Sequence, residues 1–195
     1  MAVISAPDSS LWIKRFWWLL AAVFIARTGI MLFFVQNADL IGDEAYYWDW
    51  GRRPDWCYYS KPPMIGWMMG LIGWLTGNAE WGIRFASLLL GTATLVIIHR
   101  IALLLFDART AFLTAVLVLV TLANAALNLL LTIDAPLLLC WPLGLLLFWC
   151  AAERPESVLP WLALTLVIGL GTLSKQMMLA FPALMLVFAL VSPQD

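Results

Sequence analysis

The sequence predicts an all-α protein that crosses a membrane several times, and three observations carry that prediction. First, 64% of its 195 residues are hydrophobic and 12% are charged, whereas soluble domains average about 45–50% apolar and about 25% charged residues. A soluble globule of this size needs more polar surface than such a chain supplies. Second, the apolar residues fall in runs, several of them near the ~20 residues that span a bilayer as a helix. Third, aromatic and charged residues concentrate in one segment. Residues 39–84 hold 10 of the 23 charged residues, all 4 tyrosines and 6 of the 12 tryptophans. Such a mixture belongs at a membrane–water interface, where a ring and a polar group are both satisfied. The composition excludes intrinsic disorder. With 11 Lys+Arg against 12 Asp+Glu and a net charge of −1, there is no basic surface for nucleic acid.

The elements follow in order as one transmembrane domain over residues 1–195 with six crossings. The first span is 16–36; Lys14 and Arg15 precede it and favour a cytoplasmic N-terminus. The run is long enough to span and lacks a small-x-small cleavage site, so it reads as a helix and not a secretory signal. An extracytoplasmic loop over 37–84 follows, and within it residues 64–77 are apolar for about 14 positions. That is too short to cross, so it is expected to lie along the surface, with Trp67 and Trp74 on one face dipping into lipid. Spans at 85–106, 111–131, 135–152, 158–173 and 176–191 complete the count. The third and fourth are separated only by Thr132-Ile133-Asp134, a helical hairpin with Asp134 at its tip. Arg27, halfway along the first span, is expected to face the bundle interior or a polar cavity. His99 and Arg100 read as headgroup anchors. Cys57, Cys140 and Cys150 have neither an even count nor metal-ligand spacing, which argues against a disulfide framework or a zinc site.

This topology brings Asp43-Glu44, the turn Tyr58-Tyr59-Ser60-Lys61-Pro62-Pro63, Arg84, Asp134 and Lys175 to one membrane face. Cations there can hold a lipid-linked phosphate while a carboxylate activates a hydroxyl or amine nucleophile. Other readings remain open at this level. Asp43-Glu44 suits the N-terminus of an interfacial helix running through Trp50, and capping does not exclude catalysis. Lys61 reads equally as a snorkelling anchor. Pro62-Pro63 reads as a stiff turn entering the surface helix. Asp134 between two apolar runs must be wetted or paired.

The motifs Gly42-Asp43-Glu44-Ala45-Tyr46-Tyr47-Trp48, Tyr58-Tyr59-Ser60-Lys61-Pro62-Pro63, Arg84-Phe85-Ala86-Ser87, Asp134 and Leu173-Ser174-Lys175 together resemble glycosyltransferase family 39. That family includes protein O-mannosyltransferases, aminoarabinose–lipid A transferases and Rgt-type lipopolysaccharide glycosyltransferases. The resemblance implies a GT-C-like helical bundle with interfacial helices in the first extracytoplasmic loop. It also implies transfer of a sugar, with inversion, from a polyprenyl-phosphate donor to a lipid, glycan or protein acceptor. By the same resemblance the protein lies in a bacterial inner membrane with its active site on the periplasmic face. Asp43 is then the catalytic carboxylate, supported by Glu44, with Asp134 as a second acid. Lys61 contacts phosphate, and Tyr58, Tyr59, Arg84 and Lys175 are further substrate-binding positions. No cofactor and no metal are expected. Two rival readings stand beside this one: a transporter or flippase-like protein, and a non-catalytic form of the same fold. A transporter site sits between broken helices near the bilayer centre, whereas most charge here lies in one interfacial loop.

Overall fold

The computed structural model describes residues 6–35, 40, 42–121 and 129–191, and among these all regular structure is helical. Helix α1 spans Ala6–Ile30 and continues as a π-helical turn over Met31–Val35. Two short helices follow, α2 over Gly42–Gly51 and α3 over Met64–Thr76. The longest is α4, Glu80–Leu105, whose 26 residues rise about 38 Å. Then come α5 (Ala108–Val120), α6 (Asp134–Glu153), α7 (Val158–Ser174), a 3-10 turn over Gln176–Leu179 and α8 (Ala180–Val191). Three helical stretches, Ser9–Phe33, Glu80–Leu105 and Asp134–Glu153, are long and apolar enough to cross a membrane. The remaining apolar helices, over Met64–Thr76, Ala108–Val120, Val158–Ser174 and Gln176–Val191, are shorter.

Helix α4 is the central element, packing on α6, α5, α1 and α3, while α6 also packs closely along α7. Three apolar clusters hold the bundle. Phe16 and Leu20 of α1 meet Leu95 of α4 and Ala115 of α5. Leu137 and Cys140 of α6 meet Leu164 and Val167 of α7, with Met178 and Phe181 closing the cluster. The third joins Tyr47 and Trp50 of α2, Ile65 and Met69 of α3 and Ile83 of α4 to Leu131, Ile133 and Ala135. Outward faces are apolar as well: Trp18 is 77% exposed, Phe33 78% and Leu190 77%. Large apolar side chains on the rim of a helical bundle suit lipid as the surrounding solvent, and the protein is an integral membrane protein.

Several expectations change. No single helix covers 111–131: α5 ends at Val120, and the backbone of Thr121 is extended. Residues 122–128 lie outside the described residues, and 129–133 are non-helical. Asp134 is therefore the first residue of α6, not the tip of a tight helical hairpin. An unbroken apolar run does not distinguish a helix from a buried irregular segment, and here side chains from other helices satisfy the backbone, as described below. The last span begins with a 3-10 turn before α8. His99 is no headgroup anchor; it is buried in the α1–α4 contact with its ring stacked 3.5 Å from Phe16. Arg100 beside it is exposed.

Candidate active site

Two elements of the first loop present most of the polar residues. Helix α2 buries Glu44, Tyr47, Trp50 and Gly51, a face repeating every three to four residues. Because successive helical residues point about 100° apart, Asp43 faces out and is exposed while Glu44 is 1% exposed. Helix α2 lies against α3 at backbone contact. A Cβ on Gly51 would stand 2.6 Å from the Gly70 nitrogen, and one on Gly70 would stand 2.8 Å from the Gly51 carbonyl. Pro63 is the N-cap of α3, where the Trp67 N–H bonds its carbonyl at 3.0 Å, so Pro62-Pro63 form the stiff entry that the sequence implies.

Tyr58 knits the intervening loop together. Its ring stacks on Trp50 with centroids 4.4 Å apart and planes 5° from parallel. Its hydroxyl lies 3.1 Å from the Trp50 carbonyl and 3.3 Å from that of Arg53, and accepts the Asp55 N–H at 3.1 Å. Gly66 lies beneath the ring, where a Cβ would approach to 2.5 Å. The Trp67 indole N–H donates to the Asp55 carbonyl at 2.8 Å, while Trp74 is 80% exposed. The two tryptophans expected to share a lipid-facing role thus differ: Trp67 pins the loop and Trp74 is free to meet lipid. Lys61 is partly exposed and has no ion-pair partner among the described residues, and Tyr59 is 98% exposed.

The buried pair is Glu44 with Arg84, the latter 4% exposed on α4. The Arg84 Nη1 donates to Glu44 Oε2 and also to the Leu129 carbonyl at 3.0 Å. The other carboxylate oxygen, Glu44 Oε1, accepts the Leu131 N–H at 2.9 Å. One turn along α4 from Arg84, Ser87 donates to the Leu130 carbonyl at 3.0 Å. From α7, Ser174 donates to the Ile133 carbonyl at 2.7 Å. Residues 129–133 are thus an irregular strand, four of whose backbone groups are bonded by side chains of α2, α4 and α7. Irregular backbone among apolar helices is tolerated only with such partners.

The strand delivers Asp134. Its Oδ1 pairs with Lys175 Nζ at 2.6 Å, the two side chains being 40% and 36% exposed. The Tyr47 phenol lies near both candidate acids. Burial first, then the charges of Asp43, Asp134 and the neighbouring Tyr46, push its pKa above the usual 10.0. The fold therefore brings Asp43 and Asp134 near enough to act on Tyr47, pairs Asp134 with Lys175, and locks Glu44 and Arg84 to each other. Tyr58 is built into the scaffold, and Tyr59 stands apart in solvent. Among the described residues, no three His, Cys, Asp or Glu side chains converge at metal-ligand distances. Tyr47, Ser87 and Ser174 fall inside the motifs quoted from the sequence, but sequence reasoning gave them no role. The placement of Ser87 three residues after Arg84, on one face of a helix, was the available signal for one of them.

Comparisons with known proteins identify the family. Residues 60–195 match the family described as dolichyl-phosphate-mannose-protein mannosyltransferase. The lipid A galacturonosyltransferase RgtD of Rhizobium johnstonii is 39% identical over 74 residues, 37% of this chain and 15% of that protein. The undecaprenyl phosphate-alpha-4-amino-4-deoxy-L-arabinose arabinosyl transferase of Erwinia tasmaniensis is 30% identical over 136 residues, 67% of this chain and 24% of that protein. The transferase of the same name from Pectobacterium carotovorum is 26% identical over 147 residues, 68% of this chain and 26% of that protein. The matched part of the chain spans about a quarter or less of the length of these curated relatives. No solved structure matches significantly. With 136 of its 195 residues on the family pattern, the chain belongs to the dolichyl-phosphate-mannose-protein mannosyltransferase family of membrane glycosyltransferases.

Proposed function

We propose that this chain carries the acid- and cation-bearing part of a glycosyltransferase active site on the extracytoplasmic face of a bacterial inner membrane. The donor is a polyprenyl-phosphate-linked sugar, and the acceptor is a lipid, glycan or protein nucleophile. One observation carries the proposal: Asp43 is exposed beside a buried, charge-compensated Glu44, at the same end of the bundle as the Asp134–Lys175 pair. The acceptor hydroxyl or amine attacks the anomeric carbon as the bond to the phosphate oxygen breaks, and the configuration inverts. Asp43 takes the acceptor proton. The polyprenyl phosphate leaves as an anion, so its stabilisation falls to cations, the role assigned to Lys61 and Lys175. Asp134 orients Lys175. Glu44 and Arg84 hold α2 against residues 129–131 and do not contact the reacting atoms. The names of the curated relatives, a lipid A galacturonosyltransferase and undecaprenyl-phosphate arabinosyl transferases, support this choice of donor chemistry and a lipid A-like acceptor.

The decisive experiment is Asp43→Asn in the full-length protein, which keeps the shape and removes the proton acceptor. Turnover is expected to fall by about 10²–10⁴, with donor binding nearly unchanged, because a phosphate gains nothing from a nearby anion. Near-normal sugar transfer by this variant would assign the base elsewhere.

A further inference from the structure

Two rungs join the same two pieces of chain. Ser174 Oγ donates to the Ile133 carbonyl at 2.7 Å, and the next residues along, Lys175 and Asp134, pair at 2.6 Å. The inner rung is dry, since Ser174 is fully buried and Ile133 is 5% exposed. The outer rung is wet, its side chains being 36% and 40% exposed. A lysine ammonium on a four-carbon stem has many rotamers, and a half-exposed ion pair is too weak to hold both partners in one geometry. The backbone does not supply the restraint by itself. Lys175 has already left α7 in an extended conformation, and Asp134 only begins α6. Packing along α6 and α7 brings the two segments together, and the short, enclosed hydroxyl–carbonyl bond sets their register at this end, one residue upstream of both charged partners.

We propose that Ser174 is a positioning residue of the active site, setting the end of α7 against residue 133 so that Lys175, held by Asp134, meets the donor phosphate in a fixed geometry. This rests on reading Lys175 as a cation for that phosphate. Ser174 itself touches no substrate. A hydroxyl that merely satisfied a buried carbonyl would change stability and leave the action of Lys175 alone, so the two roles differ in their coupling to Lys175.

The test is a double-mutant cycle on the affinity of the full-length, membrane-reconstituted protein for undecaprenyl phosphate. S174A and K175A are compared singly and together, with thermal unfolding followed in parallel. S174A is expected to weaken binding about tenfold, and K175A at least as much. The double variant is expected to bind no more weakly than K175A alone, because Ser174 acts through Lys175. S174T, which keeps the hydroxyl, should bind more tightly than S174V, which has the same shape without it. Losses that multiply in the double variant, equal binding by S174T and S174V, or an S174A protein with normal affinity would overturn the positioning role. If K175A itself binds normally, it is the reading of the phosphate site that fails, and the two failures are told apart by that single variant.

Discussion

Asp43 and Glu44 are adjacent carboxylates that a single residue step along the helix sends into different surroundings. The sequence motif marks both, but the fold divides them, leaving Asp43 exposed and burying Glu44 against Arg84. That division was not legible beforehand, because it depends on Arg84 reaching Glu44 from 40 residues away. Asp134 and Lys175 were legible as costly charges at the ends of apolar runs, whereas their pairing needs the three-dimensional approach of α6 and α7. Lys61, which has no ion-pair partner among the described residues, is the loop cation that the proposed function sets against the donor phosphate. Lys61→Ala is expected to weaken undecaprenyl phosphate binding by about 1.5–3 kcal/mol, the range for hydrogen bonds to charged groups, as read by titration calorimetry. Tyr47 provides a pH probe. Its phenol ionises later in the folded protein than the ordinary 10.0 of the unfolded chain. Its contribution to stability is therefore full below pH 10 and is lost as pH rises from there through the higher folded value. In an ultraviolet titration, Tyr47→Phe should remove a tyrosine signal that appears above pH 10 and should flatten the alkaline loss of stability.

At the scale of elements, a separate short helix was readable from an apolar run too short to cross, and α3 forms over Met64–Thr76. Its glycines were not readable as contacts, since nothing local reveals which backbone or ring lies above them. Gly66 is the sharpest case, because a Cβ there would meet the Tyr58 ring at 2.6 Å and its hydroxyl at 2.5 Å. Gly66→Ala must therefore displace the loop that ends in Lys61. Thermal unfolding should register a loss of about 1–3 kcal/mol, as for other overpacked sites. Adding Tyr58→Ala should return part of that loss, by emptying the space into which the new methyl points. Helix α5 illustrates a boundary the sequence does mark. Asp107 is its N-cap and accepts the Thr110 N–H at 2.8 Å, and this bond chiefly draws the carboxyl below its ordinary value.

For the whole molecule, the described contacts gather Glu44, Arg84, residues 129–134 and Ser174-Lys175 at one end of the bundle. The six-crossing topology proposed from the sequence puts all of these groups on the extracytoplasmic face. Single cysteines in a background without Cys57, Cys140 and Cys150 check it. Positions 45, 59 and 78 should react with an impermeant reagent from outside the cell, and positions 109 and 154 only after permeabilisation. Opposite sidedness at 59 and 78 would instead mean that α3 crosses.

The borrowed hydrogen bonds of residues 129–133 also set an order of events during synthesis. The Leu131 amide waits for a partner 87 residues behind it, and the Ile133 carbonyl for one 41 residues ahead. Neither group has a helical partner to rest on, and an unpaired peptide group is costly in lipid. This stretch of backbone therefore becomes stable only after α2, α4 and α7 have all arrived. Long-range closure of this kind is the slow part of a folding reaction. The individual helices can enter the membrane early, but the active-site end matures late and all at once.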